Sequence, residues 1–139
     1  MPCFADAHEI YTLIGGLFEE LARDAELERQ FRAANTTVQY RYRNPEAQIT
    51  VRTVVDEPVR IDFGDTDMEP QVVMTMDADV AHRFWLGEVN VTVALARGQM
   101  HAKGPVAKVL KLVPLLRPAA PVYRRRLAAA GRDDLNRVA

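Results

Sequence analysis

Serine does not occur in the 139-residue chain, and cysteine and tryptophan occur once each. Without serine there is no Gly-x-Ser-x-Gly nucleophile elbow, which removes serine hydrolases. Cys3 alone can form neither an intrachain disulfide nor a multi-cysteine zinc site, and a reducing compartment is the simplest home for such a chain. It has no basic neighbour in sequence to lower its pKa, so thiol catalysis is not expected. His8, His82 and His101 lie far apart and none belongs to a His-x-x-x-His pair, so no metal site is expected. Gly98 and Gly104 flank a strand instead of opening a helix after one, which argues against a phosphate cradle and a nucleotide cofactor. Asp62, Asp65, Asp67 and Glu69 lack the spaced ligands and closing glutamate of a calcium loop, and read as a solvated turn.

Long apolar runs are missing too. None reaches the roughly 18 residues of a spanning helix. Met1-Pro2-Cys3-Phe4-Ala5-Asp6 carries neither the positive n-region nor the apolar h-region of a secretory signal. The other end, Leu135-Asn136-Arg137-Val138-Ala139, is neither a peroxisomal tripeptide nor a prenylation site. These absences predict a cytoplasmic protein with no catalytic residue, metal or cofactor.

What is present is a globular composition, 48% apolar or aromatic and 27% charged, in a chain whose 15.6 kDa suits one domain spanning residues 1–139. The net charge of −1 hides a division. Residues 1–96 carry 8 Arg and 17 acids, and residues 97–139 carry 10 Lys or Arg and 2 acids, leaving −9 and +8. Either the two parts pack with their charges facing, or the basic part meets an anionic partner.

Hydrophobic spacing gives the elements. Ile10, Leu13, Ile14, Leu17, Phe18 and Leu21 recur at three and four residues, predicting a helix over 5–23 with Asp6 as N-cap. Gly15-Gly16 inside it marks a close contact or a bend. A second helix follows over 24–34, completing a helical N-terminal arm over 1–34. Alternation predicts strands at 38–43, 47–55, 59–63 and 72–76, read as a meander with one dry face. Asp77 or Asp79 caps a short helix bearing Val80, Phe84 and Trp85 and stopped by Gly87. Residues 89–97 alternate and are β-branched, which favours a strand, although Ala94-Leu95-Ala96-Arg97 before Gly98 reads as a helix end. A strand at 99–103, a helix from Gly104-Pro105 and a proline-broken basic helix within 117–139 complete the chain.

Tyr40 and Tyr42 alternate with Arg41 and Arg43, so the aromatic and basic groups fall on opposite faces of one strand and form no joint platform for nucleic acid. The remaining signal is apolar. Met68, Met74, Met76 and Met100, with Phe63, Phe84, Trp85 and the stripe Val106, Val109, Leu110, Val113 and Leu116, give a core rich in flexible thioethers. Such an interior suits a variable apolar guest.

From about Thr75 to Leu116 the sequence resembles the sterol carrier protein type 2 domain family. The resemblance is carried by Met74-Thr75-Met76-Asp77, Phe84-Trp85-Leu86-Gly87, Ala94-Leu95-Ala96-Arg97-Gly98 and above all Gly98-Gln99-Met100-His101-Ala102-Lys103-Gly104 before an apolar helix. That family has a Gly-x-apolar-x-apolar-x-Gly strand at this place. Element order agrees from about Leu17 onward, roughly 100 of the 139 residues. The resemblance implies an α+β fold: a five-stranded, mostly antiparallel sheet with helices packed on one face, enclosing an apolar tunnel. Members bind sterols, fatty acids, fatty acyl chains or phospholipids, and bacterial ones also serve as accessory domains of larger enzymes. It further implies a helix at 89–97, against the alternation. The longer N-terminal arm and the basic tail after Leu116 depart from the family's pattern.

The expected function is non-catalytic lipid binding, with transfer or presentation of the lipid. Burying an acyl chain of about 16 carbons yields on the order of 12 kcal/mol gross, so micromolar affinity needs no polar contact. The expected ligand walls are Phe63, Met74, Met76, Phe84, Trp85, Met100, Val106, Val109, Leu110, Val113 and Leu116. Lys103, Arg117 and Arg124 are the head-group candidates, and the basic C-terminal segment is a candidate contact for an anionic membrane. A homodimer is compatible with the sequence. Two other readings stand beside this one: a small α+β isomerase or dehydratase, which needs a buried carboxylate or histidine with a shifted pKa, and an interaction or dimerisation module built on the stripe from Val106 to Leu116.

Overall fold

The computed structural model describes residues 2–136. The terminal tripeptide Arg137-Val138-Ala139, read above for a targeting signal, lies outside the described residues. The strands are β1 (Thr36–Arg43), β2 (Ala47–Thr53), β3 (Arg60–Phe63), β4 (Val72–Asp77) and β5 (Met100–Lys103). They form one sheet in the order β3-β2-β1-β4-β5, antiparallel except where β1 and β4 run parallel. This is the expected α+β class with a mostly antiparallel sheet. The simple meander is corrected: only β1–β2–β3 is one, and β4 crosses over to the far side of β1. Val72, Met74 and Met76 explain why, since all three are buried on one face of β4 and a place beside the central strand covers them better than a place outside β3.

Register then sorts the side chains. Tyr40 stands opposite Ile49 and Met74, Met74 opposite Ala102, and Tyr42 opposite Met76, which faces Met100. These residues share the dry face. The other face is polar: Gln39 donates to the Thr50 hydroxyl at 3.0 Å and accepts from Arg41 at 2.7 Å.

All the helices cover the dry face. α1 (Ala7–Ile10) is capped by Asp6, whose carboxylate accepts from the Glu9 N–H at 2.9 Å. It runs through a π-turn (Tyr11–Gly15) into α2 (Gly16–Arg23), so the expected single helix has a widened turn at its glycines. The close contact expected at the glycine pair is present. The Phe63 ring sits where a Gly15 Cβ would come within 2.6 Å of it, and the Arg126 guanidinium occupies the space beside Gly16. α3 (Ala25–Ala33) is capped by Asp24.

α4 (Ala78–Trp85) follows β4, and α5 (Val91–Ala96) replaces the strand that alternation favoured at 89–97. Its ends decide the matter. The Asn90 side chain accepts from the Val93 N–H at 3.1 Å and Gly98 adopts φ +74°, so both termini are capped while Val91 and Ala94 point inward. α6 (Val106–Leu112) tightens into a 3₁₀ turn (Val113–Leu116), and α7 (Ala119–Ala129) and a second 3₁₀ turn (Asp133–Asn136) close the described chain. α7 is the basic helix expected within 117–139.

The charge division resolves as an internal match. Arg126 pairs with Glu20 at 3.0 Å and donates to the Thr12 carbonyl at 3.1 Å. Arg132 pairs with Glu9 and donates to the Cys3 carbonyl at 2.8 Å. The C-terminal cations therefore fasten α7 and its tail to the acidic N-terminal helices.

Gly104, the last glycine of the motif, has φ +105° and no room for a side chain because the Gln71 carbonyl lies against it. Gly131 has φ +74° with nothing within 4 Å. Gly131→Ala is expected to cost about 1 kcal/mol, the left-handed penalty alone, and Gly104→Ala about 2–4 kcal/mol, because a backbone collision is added. Urea unfolding of the two variants measures the difference.

Candidate functional site

Between the dry face and the helices lie two small apolar clefts. The inner one, about 30 Å³, is walled by Tyr40, Tyr42, Met74, Met76 and Met100 from the sheet, Ala81, Phe84 and Trp85 from α4, Val91 from α5, and Val109, Leu112, Val113 and Leu116 from α6 and its 3₁₀ turn. The second, about 50 Å³, lies under α2 and α3 against Tyr40, Val51, Thr53, Val59 and Ile61, with Phe18, Leu21, Ala22 and Phe31 above. Tyr40, Trp85, Leu112 and Leu116 border both. These four side chains are the partition between two compartments of one interior. Phe18 and Phe84 brace it: both rings stand edge-on to the Trp85 indole, at 5.2 and 4.7 Å between centroids.

A surface depression of about 260 Å³ shares Phe84, Trp85, Val113 and Leu116 with the inner cleft, and is completed by Gly87, Val89, Arg117, Ala119 and Ala120. It is the candidate mouth, and Trp85 and Leu116 border it and both clefts. Each cleft has the volume of one or two waters, so a chain-like guest requires the partition to swing aside. The floor of the inner cleft, Met74, Met76 and Met100, has the unbranched side chains that repack most readily.

The structure brings together Met74, Met76, Phe84, Trp85, Met100, Val109, Val113 and Leu116 at the inner cleft. Three expected wall residues lie elsewhere. Phe63 is 38% exposed on edge strand β3 and stacks on Tyr11 at 5.3 Å. Leu110 is 37% exposed, a helical step away from the buried Val109 and Leu112. Val106, in the first turn of α6, borders neither cleft. Among the head-group candidates, Arg117 stands at the mouth. Lys103 lies on the polar face of the sheet, on the side away from the clefts, because it pairs with Val73 in the alternate register. Arg124 is spent on structure, donating to the Asn136 carbonyl at 3.1 Å and the Leu86 carbonyl at 3.4 Å. Tyr40, Tyr42, Ala81, Val91 and Leu112 line the inner cleft and are not among the expected wall residues. Strand alternation had already put the tyrosines on the dry face, and Leu112 lies three residues beyond Val109.

Among the described residues, no carboxylate or imidazole lines either cleft. Asp62 lies on the polar face and pairs with Arg60 at 2.8 Å, which with the Thr66 hydroxyl holds its carboxyl below the usual range. His82 is buried, but it faces α7: Tyr123 donates to its Nδ1 at 2.7 Å, and its Nε2–H donates to the Leu135 carbonyl at 3.0 Å. Because the Leu135 carbonyl can only accept, the proton resides on Nε2. These bonds tie α4, which carries Phe84 and Trp85, to the C-terminal tail. The stripe from Val106 to Leu116 is likewise engaged within the chain, with Val109, Val113 and Leu116 facing the inner cleft.

Burial lowers the His82 pKa from its ordinary 6.5, outweighing the Leu135 bond and the negative charges of Asp79 and Glu88. The unfolded chain binds a proton that the folded chain refuses, so the stabilisation is present above pH 6.5 and is lost as pH falls through the folded value. Urea titrations between about pH 7 and 5 are expected to show this decline, and His82→Gln to flatten it. Cys3 is pushed up to about 11 by burial and by the Asp79 carboxylate beside it. Its reaction with a disulfide reagent at pH 8 is expected to be on the order of 100-fold slower than that of free cysteine.

No family model matches the chain, and no curated protein matches it. Solved structures do. The sterol carrier protein domain 2 of Helicoverpa armigera aligns with a TM-score of 0.64 at 20% identity, over 81% of this chain and 88% of its own. Sterol carrier protein 2 from Yarrowia lipolytica aligns at 0.62 and 13% identity, over 82% and 91%. Palmitated SCP2L2 from Aedes aegypti aligns at 0.59 and 15% identity, over 78% and 94%. The five-stranded sheet with its one helical face is therefore the fold of the sterol carrier protein 2 domains.

Proposed function

We propose that the chain, as one unit over residues 1–139, binds a lipid non-catalytically in the interior formed by the two clefts, and carries it or presents it to another protein. The observation that carries this reading is the partition. Two apolar compartments and a candidate mouth adjoin, and the compartments share the bordering residues Tyr40, Trp85, Leu112 and Leu116. Rotation of these groups makes one elongated apolar space without moving the sheet. The kinship of fold with a palmitated protein supports a guest of this shape.

The energetics favour such a guest. Each buried methylene contributes about 0.8 kcal/mol, and displacing a few well-packed side chains costs back a fraction of that sum. Arg117 at the mouth is the head-group contact in this reading. On α7, Arg124 and Arg126 are engaged within the fold, which leaves the exposed Arg125 as that helix's cation for an anionic membrane.

Trp85 is the single tryptophan and stands in the partition, so its emission reports the opening directly. Native mass spectrometry of gently purified protein, and of protein mixed with fatty acids, sterols or phospholipids, is expected to show one lipid per chain, with a shift of Trp85 emission that saturates at the same ratio. A bare chain in every mixture with unchanged emission contradicts the proposal and favours the interaction-module reading.

A further inference from the structure

Two of the chain's four tyrosines have ordinary partners. Tyr123 donates to His82, and the Tyr11 hydroxyl accepts from the Gln48 N–H at 3.3 Å. Tyr40 and Tyr42 differ. They are successive residues on the dry face of β1, about 7 Å apart along the strand, and both line the inner cleft. Neither hydroxyl makes a hydrogen bond to a group among the described residues, although Tyr42 is only 3% exposed. Neither is among the polar atoms sealed without a partner, so each borders free space; the inner cleft is the space both side chains line, while Tyr40 also borders the second cleft and Tyr42 a polar surface depression beside Arg41 and Gln48. Buried phenols without partners cost stability, and phenylalanine would fill the same volume without that cost.

We infer that the guest of the inner cleft is a neutral lipid bearing an oxygen function, a hydroxyl or a carbonyl, which accepts hydrogen bonds from Tyr40 and Tyr42. This rests on the lipid-binding reading and narrows it. Burial pushes the Tyr40 phenol up to about 12 and the Tyr42 phenol well above its usual value, so both remain donors throughout the physiological range. The oxygen is neutral because no cation among the described residues lines the inner cleft, and a carboxylate buried against uncharged donors alone loses more hydration than it regains. An unsubstituted hydrocarbon leaves both donors unsatisfied. An oxygen placed between them completes the only polar pair on the floor, while the rest of the lipid meets Met74, Met76 and Met100.

The test compares dodecan-1-ol, dodecane and dodecanoate on wild-type protein and on Tyr42→Phe and Tyr40→Phe/Tyr42→Phe, with Trp85 emission and native mass spectrometry as readouts. The double variant is expected to lose about tenfold in affinity for dodecan-1-ol and to keep or improve its affinity for dodecane. Its unfolding midpoint in urea is expected to equal or exceed that of the wild type, since the lost hydroxyls have no protein partner. Equal changes for alcohol and alkane, or no change for either, overturn the inference while leaving lipid binding in place. Stronger binding of dodecanoate than of dodecan-1-ol, unaffected by the tyrosines, also overturns it and assigns the polar end to the mouth. If none of the three probes binds the wild type, the lipid-binding reading itself fails and the inference falls with it.

Discussion

The structure depends on the register of β1 with its two neighbours. β1 is central, antiparallel to β2 and parallel to β4, and this double pairing fixes which of its side chains meet the helices. A slip of one residue on either side would turn Val38, Tyr40 and Tyr42 to solvent and Gln39 and Arg41 into the interior. The polar face guards against the slip, because Gln39 bonds to Thr50 across the strands and Arg41 bonds to Gln39 along the strand. With β1 held in this way, Tyr40 comes under Trp85, and one sheet face with one layer of helices is divided into two compartments. The partition is thus a consequence of strand pairing more than of any helix.

The helices, in turn, are held from outside the clefts. His82 ties α4 to α7 and the tail, Arg124 ties α7 to the end of α4, and Arg126 and Arg132 tie α7 and the tail to the first helices. Little comparable fastens α6 to the sheet. Its exposed side carries Leu110 and Lys111, and Lys108 makes only long bonds, at 3.3 and 3.5 Å, to Gln71 and Asn35. The layer is therefore stiff where charges clasp it and soft along α6 and its 3₁₀ turn, which supply Leu112 and Leu116 to the partition. A fold that must admit a guest without unfolding needs this inequality.

Most of the sheet was legible because alternation is a local signal and burial on one face enforces it: Val38–Tyr42, Ile49–Thr53 and Val72–Met76 read correctly from spacing alone. Order across the sheet was not legible, since nothing local in β4 says which edge it will join. At 89–97 alternation and β-branching favour a strand, whereas the helix implied by the family resemblance is the one present, and the Asn90 and Gly98 ends carry the decisive information in two residues. At the site, the helix stripe and the methionines were legible from their periodicity. Phe63 and Lys103 were not, because one sits on an edge strand and the other on the far face, and both facts follow from pairing partners distant in sequence. The role of the C-terminal cations was half legible. Their charge was plain, but only the fold decides that Glu9 and Glu20 are the anions they meet.

The tyrosine pair brings stability and function into direct opposition. Other buried polar groups of the interior are satisfied inside the chain: the Thr53 hydroxyl by the Thr36 carbonyl, His82 by Tyr123 and Leu135. A core selected for stability alone would extend that rule to Tyr40 and Tyr42 or replace them with phenylalanine, and the dry face would lose nothing in packing. The same holds for the methionine floor, where branched aliphatic side chains would specify a single packing more firmly. Both choices leave the inner cleft less well determined than the rest of the interior, and they coincide at one place, on the rows of β1, β4 and β5 that lie under Trp85. Local under-satisfaction beneath a movable partition is what a binding interior requires, because a guest gains only what the empty core has left unpaired.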